Sequence, residues 1–293
     1  GTGHFLCDDD IDCIKKAKKL LTYLPSNNLD SCPVQKSKDD PERRDESLDS
    51  IVPDDPQKPY EMLDVIKKIV DTGEFFEVQE NFAKNIMVGF ARLDGNTVGI
   101  VANEPMVFAG TLDNHASIKA ARFVRFCDAY NIPIITLVDV PGYLPSKEQE
   151  YEGIIRNSTK LLYAYCEATC PKITLVTRKA IGGAYCIMAS KHIRTDINLA
   201  WPSAEIAVVG PEGAINIVYK QELIMADDPQ VRRDELISEY RKAYASAYVA
   251  AERGYIDDII EPKETRPRLI TALRMLERKR EARPAKKHGN MPL

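Results

Sequence analysis

No stretch of this chain approaches the roughly 18 to 20 consecutive apolar residues that a membrane-spanning helix requires, so no membrane segment is expected. A dominant charge is lacking too. Forty basic and 44 acidic side chains leave a formal net charge of −4, without the positive field that draws nucleic acid, so no nucleic-acid partner is expected. Histidine is sparse, with four residues spread along the chain, and Cys166 and Cys170, at i and i+4, have no histidine near them; no metal is expected. The seven cysteines are an odd number set mostly among apolar neighbours, which argues against a disulfide framework. Free thiols and the lack of a signal or transit pattern near Gly1 lead to the expectation of a cytoplasmic protein, or a mitochondrial-matrix one in a eukaryote. Also missing are the Gly-x-Gly-x-x-Gly fingerprint, the phosphate-binding P-loop and the Gly-x-Ser-x-Gly elbow, which sets aside dinucleotide dehydrogenases, P-loop kinases and α/β-hydrolases.

What the chain does have is apolar content, 44% of 293 residues, enough to bury the core of one large domain or two small ones. In residues 10–24 the apolar groups fall at Ile11, Ile14, Ala17, Leu20, Leu21 and Leu24, a three-four spacing that predicts an amphipathic helix ended by Pro25. From 26 to 58 the composition turns to Asp, Glu, Ser, Pro and Arg, too poor in apolar groups to fold by itself, and reads as a solvated linker. Residues 1–58 are thus an N-terminal helix with a charged linker, and 59–293 form the main domain. Within it strands and helices alternate: a helix over 59–70, a strand at 75–78, and strands at 86–93 and 97–102 flanking the tight hairpin signal Asp94-Gly95-Asn96. A helix over 115–130, a continuous β-branched strand at 132–138, a helix near 148–168 and a second buried strand at 172–177 follow. Charged helices are expected over 231–250 and 266–280, with the last basic residues as a solvated tail. Strands joined by helical crossovers predict an α/β domain with largely parallel pairing.

Two buried strands end abruptly in glycine and proline. Pro141-Gly142-Tyr143-Leu144-Pro145 follows the first, and Gly182-Gly183-Ala184-Tyr185 follows the second. In open α/β sheets ligands bind beyond the carboxyl ends of strands, where such turns lie. Around Gly182-Gly183-Ala184 little side chain obstructs an approaching oxygen, and the first amides of the following helix point outward without intrahelical partners. Such amides can hold negative charge forming on a carbonyl oxygen, as an oxyanion hole does. Paired glycines also serve plain helix-strand packing, so both uses stay open here. Val209-Gly210-Pro211 reads as a helix start that is either a cap or a pocket wall. Cys170 and Cys186 read as packing thiols, because no histidine lies near them in sequence.

Asp139-Val-Pro-Gly-Tyr-Leu-Pro145, Gly153-Ile-Ile-Arg156, Gly182-Gly-Ala-Tyr185 and Ala200-Trp-Pro-Ser-Ala-Glu-Ile-Ala-Val208, with the 123–133, 160–164 and 287–293 segments, resemble one family. It is that of the carboxyltransferase β subunits of biotin-dependent acyl-CoA carboxylases, of the propionyl-CoA carboxylase type. The resemblance implies a crotonase-like (ClpP/crotonase) superhelix of strand-strand-helix turns within the α/β class. It implies a reaction that moves CO2 from carboxybiotin, on a carrier protein, to the α-carbon of a short-chain acyl-CoA. By the match, the backbone amides of Gly183 and Ala184 hold the biotin ureido oxygen, Gly142, Tyr143, Gly182 and Tyr185 line the cofactor pocket, and Cys186 bears on acyl-chain selectivity. Implied partners are the acyl-CoA, a biotin carboxyl carrier protein, biotin carboxylase, an N-terminal carboxyltransferase half and further copies of the subunit, six in that family. The likeness covers the family's C-terminal, biotin-side half, so 59–293 reads as the biotin-side domain and the chain is expected to be inactive without the other half.

In such chemistry both the ureido group and the acyl-CoA enolate need oxyanion stabilisation, and the freed biotin nitrogen can take the α-proton, so His115 and His192 are expected to be dispensable. Four departures from the family pattern stand out. Ser146-Lys147 replaces Gly-Thr after the proline, Glu152 stands where a small residue is common, Asn157-Ser158 replaces His-Gly or Arg-Gly, and Cys186 replaces Asp. The first three surround the expected biotin entrance and imply an altered carrier preference; the compact thiol implies a relaxed short-chain preference. A related decarboxylase or transcarboxylase uses the same half-reactions, and a non-catalytic assembly module is the alternative from another class. A crotonase-type hydratase is set aside because neither glycine junction carries an adjacent acid pair.

Overall fold

The computed structural model describes residues 1–56 and 58–292. Asp9 opens the first helix, α1 (Asp10–Leu21), by accepting from the Asp12 amide, and Lys18 and Lys19 suit its carbonyl end. After a charged segment, α2 (Met62–Ile69) turns Met62, Val65, Ile66 and Ile69 to the core. There follow β1 (Phe76–Val78), β2 (Ile86–Leu93), β3 (Asn96–Asn103), α3 (Asn114–Ala129), β4 (Ile134–Val140), α4 (Lys147–Tyr151), α5 (Ile154–Glu167), β5 (Lys172–Ile181) and α6 (Gly182–Ile187). The chain continues through β6 (Ile197–Ala200), β7 (Glu205–Ala207), α7 (Pro211–Val218), α8 (Lys220–Met225), α9 (Pro229–Tyr240), α10 (Ala247–Glu252), β8 (Asp258–Ile259) and α11 (Thr265–Leu276).

The strands form one sheet in the order β1-β2-β3-β4-β5-β6-β8, with β7 attached to β5. β1, β2 and β3 pair antiparallel and every later pairing is parallel. The hairpin turn falls at Asp94-Gly95, both left-handed at φ 51° and 77°, as the sequence signal requires. Every residue of β4 is buried, because helices cover both faces of the sheet. On one face Ala120, Phe123 and Val124 of α3 meet Leu161 and Tyr165 of α5. On the other, Val65 and Ile66 of α2 and Leu269 and Ile270 of α11 surround Trp201, whose indole N–H donates to Thr265 Oγ1 at 2.9 Å. Among the described residues no helix is long and apolar enough to cross a membrane.

Several elements differ from the sequence expectation. The helix expected over 148–168 is broken by Gly153, left-handed at φ 86°, into α4 and α5. The helix expected over 231–250 stops at Tyr240, passes through one π-helical stretch and resumes as α10. The charged segment read as a solvated linker is pinned to the body. Arg43 pairs with Asp39 and donates to the Lys68 carbonyl at 2.8 Å, the Asp45 amide donates to the Lys263 carbonyl, and Leu48 is buried. The basic C-terminal tail is held likewise: Lys279 donates to the Cys170 carbonyl and to Asp196, Arg283 to the Ala168 carbonyl, and Lys286 pairs with Glu167. Composition registers polarity, and these polar groups find partners only after the chain folds.

β5 runs four residues past its expected end because it changes partners. Ile173 to Val176 pair with β6, whereas Lys179, Ala180 and Ile181 pair with β7. At the same level the register of β4 against β5 slips between Val138 and Val140. Asp139, in that slip, accepts from Arg178 Nε at 3.0 Å and Nη2 at 2.9 Å, and its other oxygen accepts from the Lys179 amide at 3.1 Å. The side chains are 0% and 7% exposed, respectively. Arg178 Nη1 donates to the Lys58 carbonyl at 2.7 Å, and the guanidinium lies over the Tyr60 ring. Removing one partner strands a buried charge, so Arg178→Met is expected to lower the unfolding free energy by about 3 to 5 kcal/mol in urea titration. The double variant Asp139→Leu/Arg178→Met should recover part of that loss; a single-variant loss under about 1 kcal/mol contradicts the assigned weight of the pair.

Candidate functional site

Both glycine junctions lie beyond the carboxyl ends of adjacent parallel strands, β4 and β5. β4 stops at Pro141, which has no amide to donate, and Gly142 takes φ 151°, a conformation that a side chain disfavours. The turn is then stitched to the segment leading into α3: the Leu112 amide donates to the Gly142 carbonyl at 3.1 Å and the Leu144 amide to the Leu112 carbonyl at 2.8 Å. β5 passes directly into α6 through Gly182, left-handed at φ 64°, and no side chain caps that helix start.

The two junctions meet. A Cβ built on Gly183 would touch only Tyr143, at 3.5 Å from Cε2. Gly183 is exposed and Gly182 half-buried, while Ala184 is buried. A methyl group on Gly182 would lie 3.2 Å from the Val208 carbonyl, so Gly182 is where the chain passes close behind the turn and Gly183 is where its front is open. Val208 itself is 87% exposed. Burial raises the Tyr143 phenol above its ordinary range, opposed by a hydrogen bond with Ser158, and the Cys186 thiol lies close enough to act on it. Burial also raises the Cys186 thiol, which leaves it neutral near pH 7.

Gly142, Tyr143, Gly182 and Gly183 are therefore brought to one place, with Ala184 behind them and Cys186 half-buried nearby. Tyr185 is different. It is 3% exposed, its ring meets His192 edge-on at 6.1 Å, and its hydroxyl has no hydrogen-bond partner among the described residues. His192 is held by Ser190 and by the Tyr255 ring, and His115 lies against Phe82.

Sequence reading missed the residues that hold the turn. Asn114, at the start of α3, donates its amide to Gln149 Oε1 at 2.8 Å and its side-chain nitrogen to the Gln149 carbonyl at 3.2 Å and Glu152 Oε2 at 3.4 Å. Its side-chain oxygen accepts from Asn157 Nδ2 at 2.9 Å, and that nitrogen also reaches the Glu152 carbonyl at 3.2 Å. Glu152 and Asn157 are thus joined through one buried asparagine, and Ser158 reaches Tyr143. Their sequence neighbours gave no sign of it, because the hydrogen bonds from Asn114 to Gln149, Glu152 and Asn157 span 35 to 43 residues.

A profile of the carboxyl transferase domain family matches residues 1–291. The propionyl-CoA carboxylase carboxyltransferase subunit of Haloferax mediterranei is 59% identical over 293 residues, covering 100% of this chain and 57% of its own length. The methylmalonyl-CoA decarboxylase subunit alpha of Propionigenium modestum is 51% identical over 293 residues, with 100% and 57% covered. Among solved structures, transcarboxylase 12S, a hexamer with methylmalonyl-coenzyme A and methylmalonic acid bound, superposes with a TM-score of 0.95 at 51% identity. The match covers 99% of this chain and 56% of that one. The chain thus spans a little over half the length of the relatives it matches, and the expected crotonase-like fold is borne out.

The geometry makes opposite expectations for two neighbouring glycines. Gly182→Ala should cost about 1 to 2 kcal/mol, from its left-handed backbone and the carbonyl behind it. Gly183→Ala should be neutral or stabilising by up to about 1 kcal/mol, since a helical alanine fits there at ordinary contact distance. Thermal unfolding of the two variants checks this, and equal losses would contradict the placement.

Proposed function

The chain belongs to the carboxyl transferase domain family, and on that premise we propose that it supplies the biotin-side half of a carboxyltransferase active site. The reaction is transfer of CO2 from biotin on a carrier protein to the α-carbon of a short-chain acyl-CoA, or its reverse. The observation that carries this reading is the exposed helix start at Gly183, where an added side-chain atom would meet Tyr143 alone among the described residues outside its own helix.

The residues present fit the ureido group on chemical grounds. Amides at the start of α6 have no intrahelical acceptors and no capping side chain, so they can donate to an anionic oxygen without breaking a bond. When bound, the carboxylated ring supplies the CO2 and leaves negative charge on its ureido oxygen. Gly183 and Ala184 hold that charge with their N–H groups, and Gly182 sets their direction through its left-handed turn. Tyr143, kept protonated by burial, walls the opening and limits water, with Gly142 giving it room to approach. Tyr185 contributes by packing the first turn of the helix from inside. Cys186 offers a compact, neutral wall near Tyr143, which favours short acyl chains with little discrimination among them. Both histidine rings pack on aromatic neighbours, His115 on Phe82 and His192 between Tyr185 and Tyr255, and no role in the transfer is assigned to either.

Acyl-CoA, the carrier protein, biotin carboxylase and an N-terminal carboxyltransferase half complete the proposed system, in a cytoplasmic setting that suits free thiols. Exposed Val208, Ile217, Val218, Ile224 and Met225 support assembly with further subunits, because such apolar groups gathered in one stretch of chain favour cover. The test is reconstitution with an N-terminal half and a biotinylated carrier. Gly183→Pro, which deletes one N–H in a helical turn that tolerates proline, should lower kcat by about 100- to 1000-fold with the melting temperature preserved. His115→Ala and His192→Ala should stay within about threefold of the parent, less than general acid–base catalysis contributes. A folded Gly183→Pro protein of full activity, or abolition of turnover by either histidine variant, overturns the reading.

A further inference from the structure

A second site lies at the opposite end of the sheet. Arg92 lies near the end of β2, on the side where β3 and β4 begin, so about 20 to 25 Å of strand separates it from the glycine turns. It is 8% exposed, yet it forms no ion pair among the described residues. Its Nη2 donates to the Thr22 carbonyl at 2.9 Å and hydroxyl at 3.0 Å, its guanidinium lies 4.0 Å from the Tyr23 ring centroid, and its Nε is buried without a partner. Buried charges are ordinarily matched by an opposite charge, and this one is not.

Arg92 lines a pocket of about 210 Å³ with Lys36, Lys38, Ser37 and Gln35. Neither lysine has an acidic partner among the described residues. Two carboxylates also line the pocket, but both are already engaged. Asp71 accepts from Arg266 at 2.6 Å and from the amides of Asp94 and Gly95, and Glu74 pairs with Lys19 at 2.6 Å. The pocket therefore gathers three uncompensated cations, with the serine hydroxyl and the glutamine amide beside them.

From this imbalance we infer that the pocket binds a phosphate group. A guanidinium with two flexible ammonium groups suits a multiply charged oxyanion, which would supply the counter-charge that Arg92 lacks. The volume falls below the roughly 300 Å³ of pockets for drug-sized ligands, so the occupant is free phosphate or a small phosphate monoester. Such a ligand bridges Tyr23, the 35–38 segment and the end of β2, and it acts apart from the carboxyl-transfer turns.

The experiment is calorimetric titration of the native assembly with potassium phosphate and, separately, with glycerol 3-phosphate, at ionic strength held constant with potassium chloride. Saturable binding with Kd of about 1 mM or tighter is expected, weakened at least about tenfold in Lys36→Ala/Lys38→Ala, whose exposed positions leave folding intact. Arg92→Met, where it folds, should abolish binding. Tighter binding of glycerol 3-phosphate supports a phosphate ester as occupant, and equal or weaker binding supports free phosphate. Lack of saturation by either probe up to about 20 mM, or equal affinity in the double-lysine variant, overturns the inference.

Discussion

The buried pair of Asp139 and Arg178 stands where the sheet divides, and the placement of both glycine turns depends on it. β5 must leave β6 and lean on β7 before it reaches Gly182, and parting two strands strips main-chain groups of their ladder partners. The carboxylate takes up the Lys179 amide on the parting strand, while the guanidinium reaches back to the Lys58 carbonyl. Desolvating two charges is costly, and an apolar pair of similar volume could stabilise the core as well. Such a pair would offer no acceptor to the amide and no donor to the carbonyl. What the ions contribute is direction, fixing where β5 points as it enters the helix.

That direction is matched from the other side by Asn114. Strand β4 delivers Tyr143 to the opening; Pro141 and Pro145 stiffen the turn, but Gly142 leaves a free joint between them. Asn114 spends its backbone amide and its side-chain groups on Gln149, Glu152 and Asn157, which ties the far end of the loop to α3. The opening is thus framed by two polar clusters, one behind each strand end.

Much of the fold was legible in the sequence for plain reasons. The β-branched run at 132–138 and the Asp94-Gly95 turn follow from local preference, and the strand-to-helix junctions at Gly142 and Gly182 follow from backbone restriction. What escaped depends on distant partners. Residues 178–181 look like a turn until β7 is present to pair with them, and the helix break at Gly153 hides in a strongly helical context. The charged 26–58 segment and the basic tail looked solvated because their hydrogen bonds run to residues far away in the chain, as from Arg43 to Lys68 and from Lys279 to Cys170. Within the site, the glycines were readable as glycines. Tyr185, grouped with them through the family resemblance, turns inward because successive helical residues face different sides.

Everything proposed for the reaction rests on which atoms receive the negative charge. Diffraction from the complete carboxyltransferase assembly soaked with free biotin addresses that directly. The ureido oxygen should lie about 2.7 to 3.1 Å from the main-chain nitrogens of Gly183 and Ala184, alongside Tyr143. A ureido oxygen resting on side-chain donors elsewhere, with those two nitrogens facing bulk water, would contradict the account.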